Sequence, residues 1–159
     1  MAGERLLIVD DEEGIRNIFE DYFGSLGYQV VTAKTGKDAL EKFVPGQFDC
    51  VLSDLVMPEM DGLDFLRQLR GQDRKTAFFL MTGYPSVETA IEAIKQGAFD
   101  YITKPLNLED VRIKVERAVH VKDIESSLKR VSGLLWGLII SIPIWLILGN
   151  ILGMVWKRL

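Results

Sequence analysis

Short apolar runs alternate with amphipathic stretches along most of the chain, and a glycine, a proline or a capping side chain marks the junctions. Leu6–Val9, Tyr28–Thr32, Phe48–Ser53, Ala77–Met81 and Phe99–Ile102 read as short strands covered on both faces. Between them, apolar residues return at helical spacing. Ile15, Ile18, Phe19, Tyr22, Phe23 and Leu26 predict a first helix stopped by Gly27. Thr35 with Asp38 resembles a capping box for a helix using Ala39, Leu40 and Phe43, ended by Pro45-Gly46. Leu63, Phe65, Leu66 and Leu69 give a third helix, closed near Gly71. Ser86 caps a fourth, with Val87, Ala90, Ile91 and Ile94 expected inward and Gly97 at its end. Asn107 caps a last helix with Val111, Val115 and Ala118 on one face. Strand–helix alternation with short links predicts a doubly wound α/β fold with a five-stranded parallel sheet.

In such a sheet, ligands bind at the carboxyl ends of the strands. Four predicted strands end in chemistry: Asp10-Asp11, Asp54, Thr82-Gly83 and Thr103-Lys104. After Asp54, Met57-Pro58 cannot continue a ladder, and Asp61-Gly62 closes the turn. Three carboxylates at one point repel each other unless a counter-ion joins them. A hard divalent cation with oxygen ligands meets that need, and Mg²⁺ prefers few carboxylates together with water and phosphate. A lysine and a hydroxyl aimed at the same point suit phosphoryl oxygens. Together they describe an aspartyl-phosphate site.

The motifs Val9-Asp10-Asp11-Glu12, Asp54-Leu-Val-Met-Pro-Glu-Met-Asp-Gly62, Met81-Thr-Gly-Tyr84 and Tyr101-Ile-Thr-Lys-Pro105 resemble those of response-regulator receiver domains of two-component signalling. The resemblance covers about Glu4 to Asp123. It implies a flavodoxin-like sheet of order 2-1-3-4-5 and phosphoryl transfer to Asp54 from a sensor histidine kinase or a histidine phosphotransfer protein. It further implies Mg²⁺ held by Asp11 directly, by Asp10 mainly through water, by Asp54 and by the backbone carbonyl of Val56. Lys104 would pair with phosphoryl oxygens and precede a cis proline. Thr82 would move towards the phosphate and Tyr101 rotate inward behind it. Gly83 and Val56 would donate backbone N–H groups. A dehalogenase-like phosphohydrolase would carry a second Asp where Val56 stands. No catalysis beyond the receiver's own phosphorylation and dephosphorylation is implied.

Charge is unevenly distributed towards the C-terminal end. The formal net charge is −4, yet residues 126–159 contain basic side chains and no acid. The acidic receiver region repels phosphate, so no nucleic-acid partner is expected. One cysteine excludes an intrachain disulfide, and one histidine excludes a His/Cys zinc cluster. The opening apolar run is too short for a signal-peptide core. From Val131 to Trp156 no residue is charged, while Lys129-Arg130 and Lys157-Arg158 bracket the stretch and Trp136, Trp145 and Trp156 supply interface-type anchors. About 24 helical residues span about 36 Å, slightly more than a hydrocarbon core of about 30 Å. The expectation is a receiver domain at 1–123, a helical linker at 124–132 and a single transmembrane helix at 133–156, with the receiver facing the cytoplasm at the cell membrane. Gly133, Gly137 and Ser141, or Gly149 and Gly153 with Asn150, offer faces for a homodimer.

No stretch after Asp123 reads as an output domain. Two readings follow: a phosphorylation-switched, membrane-tethered regulator acting through protein contacts with an unknown downstream protein, or a constitutive membrane adaptor that keeps the receiver fold. Retention of Asp10, Asp11, Asp54, Thr82 and Lys104 together favours the first.

Overall fold

The computed structural model describes residues 3–121, and its element order follows the predicted alternation. The strands are β1 (Arg5–Val9), β2 (Gln29–Ala33), β3 (Cys50–Asp54), β4 (Ala77–Thr82) and β5 (Asp100–Thr103). The helices are α1 (Glu13–Ser25), α2 (Gly36–Lys42), α3 (Gly62–Gln72), α4 (Val87–Lys95) and α5, which covers 108–121 of the described residues. The sheet is parallel throughout, in the order β2-β1-β3-β4-β5. This is the flavodoxin-like topology, and it belongs to a compact unit ending at His120.

Alternation along the strands builds two cores. Leu6, Ile8, Leu52, Phe79 and Met81 point to one face, where Phe19 and Phe23 of α1 and Val111 and Val115 of α5 cover them. Leu7, Val9, Val51, Phe78 and Leu80 point to the other, under Ala39 of α2, Phe65, Leu66 and Leu69 of α3, and Ala93 of α4. β3 and β4 are buried at every position, which is why they read as continuous apolar runs. Local signals set the helix starts. Thr35, Asp61 and Ser86 each accept a backbone N–H three residues on.

Helix faces needed correction. On α4 the buried residue is Ala93, while Val87, Ile91 and Ile94 are 71%, 50% and 52% exposed. A small residue lets the short helix lie close to the sheet, and the branched side chains are turned out. On α1, Phe19 and Phe23 are buried, whereas Ile18 and Leu26 are exposed. Strand ends moved by a residue or two, and β3 runs through Asp54 rather than stopping at Ser53. Among the described residues no helix is long and apolar enough to cross a membrane. The span expected at 133–156, its linker and its glycine faces lie outside the described residues.

Candidate functional site: an acidic edge bridged by a lysine

Parallel register brings the strand ends together. Val9 pairs with Ser53, Asp54 with Met81 and Thr82 with Thr103. Asp10 therefore follows β1, Asp54 ends β3, Thr82 ends β4 and Lys104 follows β5, all at one edge.

Asp10 is fully buried. Its Oδ1 accepts the Glu12 N–H at 2.9 Å and its Oδ2 accepts from Lys104 Nζ at 2.9 Å. The same ammonium lies 3.0 Å from Asp54 Oδ1, so it bridges two buried carboxylates across 94 and 50 residues of chain, respectively. The Lys104 N–H donates to the Thr82 carbonyl at 2.7 Å, and the Lys104–Pro105 peptide is cis, as the resemblance implies. Burial pushes the Asp54 carboxyl up; Lys104 pulls it down, Asp10 and Asp11 add to the rise, and the net direction is upward. Burial alone would lower Lys104, but its hydrogen bonds to Asp10 and Asp54 outweigh it and raise it.

Asp11 is exposed, and one carboxylate oxygen from each of Asp10, Asp11 and Asp54 lies within 4.8 Å of the others. One ammonium against three carboxylates leaves excess negative charge. This hard oxygen donor set, open to water on the Asp11 side, fits a Mg²⁺-type cation.

The turn after β3 is held tightly. The Leu55 N–H donates to Met81 O at 2.7 Å, and the Gly62 N–H donates to Leu55 O at 2.8 Å. Asp61, expected only to close the turn, is also the N-cap of α3. Glu59 has φ 65°, a left-handed conformation that costs a non-glycine residue on the order of 1 kcal/mol. Val56 is 59% exposed, two residues past Asp54, and Tyr84 is 84% exposed, two past Thr82. The buried Thr82 hydroxyl accepts the Tyr84 N–H at 3.0 Å, and Gly83 between them faces open space. Tyr101, opposite Leu80 in the sheet, keeps its ring half-buried against the α2–α4 core. Its hydroxyl is buried and has no hydrogen-bond partner among the described residues.

One residue at this edge was not singled out from the sequence. Arg16, on the first turns of α1, folds back so that Nη1 donates to the Asp10 carbonyl at 2.6 Å and the Asp11 carbonyl at 3.0 Å. The available signal was a cation near a helix N-terminus, where the macrodipole disfavours it.

The response regulator receiver domain family matches residues 6–116. Among curated relatives, the regulatory protein AtoC of Escherichia coli K12 is 37% identical over 145 residues, 88% of this chain and 32% of that protein. The transcriptional regulatory protein ZraR of the same strain is 35% identical, over 87% of this chain and 32% of that protein. This chain thus spans about a third of the length of these relatives. The name of another, DNA-binding transcriptional regulator NtrC, lends no support to the expectation that nucleic acid is no partner here. A solved receiver domain protein from Clostridium thermocellum superposes with TM-score 0.71 at 30% identity, covering 76% of this chain and 98% of that one. One from Methanospirillum hungatei gives TM-score 0.73 at 29% identity, covering 78% and 99%. By its family match, its sheet order and the acidic edge bridged by Lys104, this chain belongs to the response regulator receiver domains of two-component signalling.

Proposed function

We propose that Asp54 accepts a phosphoryl group from a histidine of a sensor kinase or histidine phosphotransfer protein, with Mg²⁺ required. The phosphorylated receiver then acts through a protein–protein contact while residues 133–156 hold the chain at the cell membrane. The observation that carries the phosphorylation reading is the placement of Lys104 Nζ between Asp10 and Asp54 beside a free carboxylate edge.

Asp10, Asp11 and Asp54, with the Val56 carbonyl, would hold the cation. When bound, Mg²⁺ supplies charge neutralisation between the carboxylates and phosphoryl oxygens. An Asp54 oxygen attacks phosphorus in line, the P–N bond to the donor imidazole breaks, and the released nitrogen takes a proton. Lys104 keeps its proton and stabilises the equatorial oxygens. Gly83 and Val56 offer N–H groups to the same oxygens. Thr82 exchanges its bond with Tyr84 for one to the phosphoryl group, and the Tyr101 ring occupies the space behind it. A small acyl phosphate donor should label the chain in Mg²⁺ and not in chelator, and equal labelling in both would end this reading.

The tether rests on the uncharged stretch Val131–Trp156 and its basic flanks. The receiver would lie on the cytoplasmic side, and the glycine faces would pair two tails. Alkaline carbonate extraction should leave the full chain in the membrane pellet. Release into the supernatant would remove the tether and leave the phosphorylation reading standing.

A further inference from the structure

Past the end of β1, the Asp10 and Asp11 carbonyls have no ladder position, and the turn they form carries two of the cation's carboxylates. Arg16 Nη1 reaches both carbonyls, at 2.6 Å and 3.0 Å. Among the described residues no ion pair to Arg16 is found within 4.0 Å, although three carboxylates gather at this edge. The N-cap of α1, Glu12, makes no side-chain capping bond, so two other side chains tie the helix start to the turn: Asp10 through the Glu12 N–H, and Arg16 through the Asp10 and Asp11 carbonyls.

We propose that Arg16 is a positioning residue for the divalent cation. By holding two successive peptide planes, it fixes the direction in which Asp11, exposed and with no side-chain hydrogen bond or ion pair among the described residues, presents its carboxylate beside the buried Asp10. The inference deepens the cation-dependent reading of this edge and rests on it.

Charge and geometry make opposite forecasts here, which gives the test its sign. A guanidinium near a cation site repels the cation, so charge alone predicts tighter Mg²⁺ binding when Arg16 is neutralised. Loss of a positioned turn predicts weaker binding, by about tenfold, as for other outer contacts that orient metal ligands. Arg16→Lys keeps a cation and a donor and should recover part of the affinity; Arg16→Gln and Arg16→Ala should not. The experiment is calorimetric titration of MgCl₂ into the full chain and these variants, with thermal unfolding in chelator alongside. Weaker binding in the Gln and Ala variants with partial rescue in the Lys variant is the expected result. Unchanged or tighter Mg²⁺ binding in Arg16→Gln, even with a lower unfolding temperature, overturns the proposal and leaves the native site intact. No Mg²⁺ binding by the native chain overturns both this proposal and the cation-dependent reading beneath it.

Discussion

Gly62 sits with its Cα against the carbonyl of Asp54. A methyl group there would lie 2.3 Å from that oxygen and 2.6 Å from Leu80 Cδ1. The start of α3 can therefore approach the last peptide of β3 only because residue 62 lacks a side chain, and the helix in turn fixes where the Asp54 carboxylate emerges. Gly62→Ala should destabilise the fold by about 3 kcal/mol, since backbone rather than a flexible side chain must move. It should also slow labelling of the folded fraction. Urea denaturation with native-like stability would contradict this packing.

Lys104 provides a second prediction. Removing it leaves Asp10 fully buried and Asp54 nearly so, with no cation between them. Lys104→Gln should cost about 3 kcal/mol in chelator, as expected when one partner of a buried pair is lost. Mg²⁺ should recover more stability in the variant than in the native chain, because it then replaces the charge that Lys104 placed between Asp10 and Asp54. Thermal unfolding with and without Mg²⁺ measures both numbers, and an equal Mg²⁺ shift in the two proteins would contradict the bridging role.

Asp73 predicts a pH dependence at the opposite edge of the sheet. Burial raises its carboxyl, but N–H groups of Thr76, Lys75 and Gly46 and the Thr76 hydroxyl bond the ionised form and hold it below the usual range. A depressed folded value means stability that is present above the unfolded pKa of about 4 and lost as pH falls through the lower folded value. Asp73→Asn should therefore lose about 1–3 kcal/mol at neutral pH, and the gap to the native chain should close in acid. A gap that stays constant down to acid unfolding would contradict it.

Phosphoryl lifetime depends on what lies over the edge. Neither Val56 nor Tyr84 carries a carboxylate or amide that would orient a water onto phosphorus, and both side chains are exposed there. Val56→Asn should shorten the half-life of the phosphorylated chain, on the order of tenfold. Decay followed after donor removal gives the answer, and an unchanged or longer half-life would count against this account.

Much of this molecule was legible in the chain because two physical rules act locally. Strands covered on both faces become apolar runs, and their carboxyl ends carry the ligands, so Asp54, Thr82 and Lys104 mark the edge in the sequence itself. Capping at Thr35, Ser86 and Asn107 is equally local. What failed was the facing of α4. Its sequence offers alanines at 90 and 93 as well as Val87, Ile91 and Ile94, and periodicity cannot rank a small close-packing face against a bulky exposed one. Arg16 and Asp73 were also hidden: Arg16 reaches back to two carbonyls at no standard capping spacing, and Asp73 takes the Gly46 N–H only once two distant loops meet. A polar change on the outward α4 face, Ile91→Gln, should alter stability by no more than about 0.5 kcal/mol. A loss of several times that would restore the inward reading.

In the proposed function, Asp54 is the acceptor on which phosphorylation of this receiver depends. The most direct measurement is site mapping of the label after reaction with a small phosphodonor and Mg²⁺, in the native chain and in Asp54→Asn. The prediction is an alkali-labile acyl phosphate confined to the peptide containing Asp54, absent from the variant although its fold survives. Undiminished label in Asp54→Asn, or label on another residue of the native chain in place of Asp54, would contradict it.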